Sequence, residues 1–156
     1  MLRQALTERL KAAMKARDAG TVSAVRLILA ALKERDVAAR GAGHPEGIGE
    51  AEIPRMLQGM IKQRRESAAL YDQGNRPDLA AKERAEIAVI ESFLPRQMSE
   101  EETATAAEAA IAALGAAGAR DMGRVMALLR ERHAGTIDMA KAGAIVQRRL
   151  GGQDQP

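Results

Sequence analysis

The chain has 156 residues, 46% hydrophobic and 29% charged, with one Tyr, one Phe, no Trp and no Cys. This excludes disulfides, thiolate catalysis and cysteine-ligated zinc, and it excludes a core built on aromatic rings. The formal net charge of +3 permits a polyanionic partner; residues 1–95 carry 16 Lys/Arg against 13 Asp/Glu, and residues 96–156 carry 8 against 8.

Apolar spacing is helical nearly everywhere, with no alternating strand pattern. Leu2, Leu6, Leu10 and Met14 predict a first helix that stops near Asp18-Ala-Gly20. Its charges at Arg3, Glu8, Arg9 and Lys11 interrupt any secretory signal. Thr21 is placed to cap a second helix bearing Val25, Ile28, Leu29 and Leu32 and ending near Arg40. Its run from Leu27 to Leu32 is the longest apolar stretch and is far too short to span a bilayer, so a soluble cytoplasmic protein with no membrane partner is expected. Residues 41–49, Gly-Ala-Gly-His-Pro-Glu-Gly-Ile-Gly, read as a flexible surface loop.

A third helix starts between Glu50 and Ile53, with Pro54 in its first turn, and Gly74 is expected to supply a left-handed stop. Pro77 opens a fourth helix with Leu79, Ile87 and Ile90, which must end before Pro95. Ser99 and Glu102 form a capping box for an alanine-rich fifth helix that runs to Leu114 and stops at Gly115. Asp121 is expected to cap a sixth helix with Met122, Val125, Met126 and Leu129, and Asp138 a seventh with Met139, Ala142, Val146 and Leu150. The expectation is an all-α fold of two helical subdomains: a long-helix part over residues 1–95, a small three-helix part over 96–150, and a flexible tail over 151–156.

The third helix carries the most informative charge. Ile53, Leu57, Met60, Ile61, Ala68 and Tyr71 share one face, and Arg64 falls near its middle. An unpaired guanidinium is costly to bury, so Arg64 must meet a carboxylate such as Glu86 or Glu91, sit at an open groove, or bind an anion. An inter-helix ion pair is the expected role. Lys62 and Arg65 lie on the same helix but point outward; they are either a solvated face paired to nearby acids or available to a polyanion.

Other candidates are weighed the same way. Arg120 and Arg124 stand at the start of the sixth helix, where an anion could take up free N–H groups, although a capped helix with surface arginines is the reading that the commonness of such caps favours. Arg148 and Arg149 complement the end of the last helix, which leaves Lys141, near its start, without that explanation. Asp121 and Asp138 are expected as caps rather than a catalytic carboxylate pair. His44 and His133 have no companion at metal-ligand spacing, so no metal is expected. Ser67 and Ser99 lie in no nucleophile elbow, and no phosphate loop or dinucleotide fingerprint is present, so no cofactor or catalytic residue is assigned. Met56, Met60, Met122, Met126 and Met139 read as core filler.

Lys62-Gln-Arg-Arg-Glu-Ser67, Gly74-Asn-Arg-Pro-Asp-Leu-Ala80, Glu86-Ile87, Phe93-Leu-Pro-Arg-Gln97, Asp121-Met-Gly-Arg-Val-Met126 and Gly135-Thr-Ile-Asp138 follow one another in an order that resembles the GatB/YqeY family. The resemblance runs from about Leu2 to Leu150, and the length matches stand-alone YqeY-like proteins. It departs at Arg124, often Lys in that family, at Phe93, often Tyr, and at Pro54 and the glycine-rich loop. The resemblance implies two all-helical subdomains and kinship with the C-terminal tail of the B subunit of glutamyl-tRNA(Gln)/aspartyl-tRNA(Asn) amidotransferase, a tail that contacts tRNA.

Three functions follow as expectations. The first is a non-catalytic accessory protein that binds tRNA or tRNA-like RNA by backbone and shape through Lys62, Arg65, Arg120, Arg124, Lys141 and Arg148, with aminoacyl-tRNA-handling proteins as possible partners. The second is a component of a glutamine-dependent carbon–nitrogen ligase working with other subunits. The third is a helical protein-interaction module, for which the alanine-rich helix 100–114 could dock another helix.

Overall fold

The computed structural model describes residues 1–151, and within them the chain is all-α, with seven α-helices. The chain divides between Leu94 and Pro95 into two compact units. Beyond Gly151, the tail expected to fray lies outside the described residues.

The first unit contains α1 (Leu2–Lys15), α2 (Ala19–Gly41), α3 (Ile53–Gln73) and α4 (Pro77–Glu91). Leu6, Val25, Ile28, Leu32, Ile53, Met56, Leu57, Ile87, Ile90 and Leu94 form its core. The stripe on α1 is shorter than its spacing suggests. Met14 is 52% exposed, and Ala13 is buried in its place. The reason is helical drift: each four-residue step overshoots a full turn by about 40°, so the row leaves the core side by Met14, while Ala13, seven residues after Leu6, stays beneath it.

Asp18, not Thr21, caps α2: its carboxylate accepts from the Thr21 backbone N–H at 3.1 Å and from the Thr21 hydroxyl at 2.6 Å. Those bonds hold the Asp18 carboxyl below the usual carboxylate range, with the Thr21 hydroxyl the larger cause. Thr21 is buried in the first turn and reinforces the cap from inside. An aspartate three residues before a threonine competes with it for the same role, and the carboxylate wins because it can accept twice.

The glycine-rich segment 41–49 is tethered, contrary to its composition. Arg3 makes a two-pronged bond to Asp36, both contacts at 2.8 Å, and Asp36 also accepts from the Ile48 N–H at 2.9 Å. Arg3 further donates to the Ile48 carbonyl at 2.7 Å. Gly47, at φ 84°, lets the backbone lie against this carboxylate, where a Cβ would run into Asp36. Just beyond, Glu50 reaches back to the start of α1 and accepts from the Leu2 and Arg3 N–H groups at 2.8 and 3.3 Å. α1 has no side-chain cap of its own and no acid in its first turn, so Glu50 supplies one from a distant part of the chain.

A 3₁₀ turn over Glu50–Glu52 leads into α3, with Pro54 in the first turn, where its missing N–H costs nothing. At the other end, Gly74 has an ordinary φ of −82° and is not the left-handed stop. Asn75 takes that role at φ 57°, and the Arg76 N–H closes the turn on the Tyr71 carbonyl at 2.8 Å. Asparagine tolerates this conformation better than most residues, which frees the glycine beside it.

The second unit contains α5 (Glu100–Leu114), α6 (Met122–Arg132) and α7 (Met139–Gly151). The Ser99–Glu102 capping box is formed in both directions, and Gly115 stops α5 at φ 58°. Ala106, Ala107 and Ala110 let α5 approach closely, against Val125, Leu129, Ile137, Ala142, Ile145, Val146 and Leu150. Met122, Met126 and Met139 fill the margins of this core, as Met60 does in the first unit, where Met56 lies fully inside.

Candidate functional site

Arg64 sits on the inner side of α3 and its Nε donates to Glu86 on α4 at 3.0 Å, with both side chains 13% exposed. The polar demand of a guanidinium in an apolar stripe is met by one carboxylate from the neighbouring helix, which locks α3 to α4 in register. The next residue, Arg65, donates to Glu91 at 3.3 Å in a more exposed setting. Arg84 on α4 pairs with Asp72 near the end of α3. Lys62 is exposed on the outer side of α3 and has no polar partner among the described residues. The motif 62–67 therefore places one cation toward solvent and two toward acids of α4.

In the second unit Arg124 is committed to structure. It donates to the carbonyl of Leu114, the last residue of α5, at 3.0 Å, and its Nε lies 3.5 Å from Asp121. Asp121 stands at the N-cap position of α6 but makes no capping bond; its carboxylate accepts from the Ala117 N–H at 3.0 Å. A short 3₁₀ turn over Ala119–Asp121 precedes α6, and it directs the aspartate back toward the α5–α6 loop instead of forward over the helix. Arg120 lies in that turn, exposed and without a partner among the described residues. The pair of arginines expected at an open helix end is thus divided, with one engaged and one facing solvent.

Asp138 accepts from the N–H groups of Ala140 and Lys141 at 3.0 and 3.2 Å, as a cap does. The Lys141 side chain is exposed and has no partner among the described residues. Arg148 is exposed and donates only to the Ala144 carbonyl on its own helix at 3.4 Å, whereas Arg149 pairs with Glu108 on α5. Arg148, Arg149, Ile145, Glu100 and Ala104 line a shallow cleft of about 350 Å³. Arg96 and Glu102 form an exposed pair, and Arg96, ahead of the Ser99 N–H, holds the Glu102 carboxyl down at about 2.

The recurrent motifs also meet one another. Gln97 Nε2 donates to the carbonyls of Pro95 and Gly135 at 3.0 and 2.9 Å, and the Met98 N–H donates to the Thr136 carbonyl at 2.8 Å. The segment before α5 is thereby tied to the α6–α7 turn. Ser99, Gln97, Asp138, Arg64 and Glu86 all have structural partners, which explains their types and spacing without reference to a reaction.

One basic region was not singled out by motif. Residues 1–43, covering α1 and α2, carry 9 Lys/Arg (3, 9, 11, 15, 17, 26, 33, 35, 40) and 4 Asp/Glu (8, 18, 34, 36), a net +5. Residues 44–156 carry 15 against 17, a net −2, so the whole excess lies in this helical pair. Asp36 is occupied by Arg3, and Asp18 is committed to capping α2. Counting charge by half-chain hides this region, because α3 and α4 bring nearly equal numbers of both signs. Counting by helix pair would have found it.

Among the described residues no group of three His, Asp or Glu side chains could hold a metal ion, and no helix is long and apolar enough to cross a membrane. The family model described as Yqey-like protein matches residues 3–150. No curated protein matches the chain.

Proposed function

The chain belongs to the YqeY-like family, and on that premise we propose that it is an accessory protein that binds tRNA-like RNA through backbone and shape and performs no chemistry alone. The observation that carries this reading is a set of exposed cations without acid partners, Lys62, Arg120 and Lys141 among the expected ones, beside a larger excess on α1 and α2. Phosphate contacts need such cations and little else.

Two further features support it. Tyr71 and Phe93, the only aromatic residues, are both half-buried, and the Arg9 guanidinium covers Phe93 at 6.0 Å from the ring centre. Neither ring offers a platform for stacked bases, so single-strand readout is disfavoured against contact with a folded RNA. The side chains whose types suit acid–base work, Asp121, Asp138 and Ser99, are engaged with backbone N–H groups. The kinship with an amidotransferase tail that the motif resemblance implies belongs to the same proposal: an accessory role for tRNA in the cytoplasm, with the amidation chemistry, where it occurs, supplied by other subunits.

The test is the salt dependence of binding to purified bulk tRNA. The expected result is measurable affinity at low salt that falls steeply as salt rises, with a log–log slope corresponding to several released counterions. A chain that shows no tRNA binding at low salt contradicts the proposal.

A further inference from the structure

We infer that the solvent face of α2 is the principal RNA-contacting surface and that it reads the phosphate backbone of a double-helical stem. This rests on the RNA-binding reading above and assigns it a place that the family motifs do not mark.

α2 is the longest helix, 23 residues. Its core side is defined by Ala24, Val25, Ile28, Leu32 and Asp36. Arg26, Lys33 and Arg40 form a row along one flank of the exposed side, spaced by seven residues, and all three are exposed. Seven residues are two turns, so successive cations stand about 10.5 Å apart along the axis. The row drifts only about 20° around the helix at each step. Arg26 and Lys33 have no partner among the described residues. Arg40 donates its Nε–H to the Pro45 carbonyl at 3.2 Å, which leaves its terminal amino groups open.

α2 contains two acids, Glu34 and Asp36; Asp36 is hydrogen-bonded to Arg3 and its charge also attracts Arg40 at the end of the row, while Arg26 and Lys33 have no acid partner among the described residues. α1 adds Lys11 and Lys15, both exposed and unpaired among the described residues, against a single acid, Glu8. A helical rod with evenly spaced cations and no exposed ring suits a regular phosphate backbone better than splayed bases. The anchoring of the 41–49 segment on Asp36 holds the far end of the rod in place, so the row is presented in one geometry.

An anionic membrane surface is the competing occupant, because Leu27 and Val37, exposed by 43% and 57%, lie among these cations. Membrane helices of that kind keep a contiguous apolar face free for lipid. Here the apolar face of α2 is buried in the core, and Ala30 and the charged Glu34 lie between the two exposed residues on the outer side. The chemistry therefore favours RNA.

The experiment measures fluorescence anisotropy with the full chain, using labelled bulk tRNA, a 16-base-pair RNA duplex and oligo-uridine. Three double variants are compared: Arg26→Glu with Lys33→Glu, Lys62→Glu with Lys141→Glu, and Arg130→Glu with Arg132→Glu, which carries the same change of net charge elsewhere. Circular dichroism and thermal melting check that each is folded. The expected result is that the α2 variant loses about tenfold or more in affinity for tRNA and duplex, with a salt slope lowered by about 2, while the α6 variant loses far less. Duplex should bind better than oligo-uridine. Loss in the Lys62/Lys141 variant with an unaffected α2 variant overturns the inference and leaves RNA binding standing. Equal loss in all three variants, or preference for oligo-uridine, also overturns it. Wild-type binding to phosphatidylserine vesicles without binding to any RNA overturns both this inference and the RNA reading.

Discussion

The two helical pairs of the first unit use cations in opposite ways. Across residues 50–94, on α3 and α4, 7 Lys/Arg (55, 62, 64, 65, 76, 82, 84) meet 8 Asp/Glu (50, 52, 66, 72, 78, 83, 86, 91), and Arg64, Arg65 and Arg84 are each paired between the two helices. Across residues 1–43, with α1 and α2, the balance is 9 against 4, and most cations face solvent without an acid. The pair richest in family motif is therefore the one held together by its charges. The pair with little motif has charges left over for something else. A recognisable run of arginines marks an architecture here, and unneutralised charge marks the candidate interface.

The comparison can be broken most forcefully at Arg64. Replacing Arg64 with Met leaves the half-buried Glu86 carboxylate without its partner, and stability should fall by about 2–3 kcal/mol in urea titration. Adding Glu86→Leu should restore most of that loss, because the pair can be replaced by apolar contact but cannot be halved. RNA affinity of folded protein should change little. A large loss of affinity with unchanged stability would assign Arg64 to the interface and erase the contrast between the two helical pairs.

A smaller effect sharpens the other side. Within α1 and α2, Arg3 is the cation that behaves like those of α3 and α4: its hydrogen bonds to Asp36 hold that carboxyl at about 2, against an ordinary 3.8. The folded value lies below the unfolded one, so this stabilisation is present above about pH 4 and is lost as pH falls from there toward 2. Acid unfolding should steepen in that window. Asp36→Asn should weaken the steepening and lower stability at neutral pH by about 1–2 kcal/mol. Glu102, also near 2, remains in the variant and keeps part of the slope. An unchanged acid limb in Asp36→Asn would mean that the tether of segment 41–49 does not depend on this carboxylate.

Local signals in the sequence were sufficient at most motifs whose partners lie within one turn, Asp121 excepted, because the 3₁₀ turn before α6 turns its carboxylate back to Ala117. Ser99 with Glu102, Gly115, Pro77 and Asp138 all sit where their spacing places them. The all-helical class follows from periodicity alone, as do Ile53, Leu57, Ile61 and Ala68 in the core of α3, whereas Met56, off the expected face, is fully buried and Met60 and Tyr71 are half-buried. What could not be read was of two kinds. Close competitors were one: Asp18 over Thr21 and Asn75 over Gly74, where two suitable residues stand within three positions and small energies decide. Distant partners were the other: Glu50 capping α1, and Asp36 gathering Arg3, Gly47 and Ile48, require knowledge of which segments meet. The candidate interface was missed for a third reason. Motif spacing draws the eye to α3, and only a charge balance taken helix by helix reveals the excess on α1 and α2.

Lysine footprinting with and without bulk tRNA addresses the contrast most directly, since each pair of helices carries exposed lysines. Acetylation of the full chain at low salt, read by mass spectrometry, should show Lys33, Lys11 and Lys15 protected by RNA, with Lys33 protected most strongly and Lys82 on α4 unchanged. Protection confined to Lys62 and Lys82, with Lys33 as reactive as in the free protein, would contradict the account.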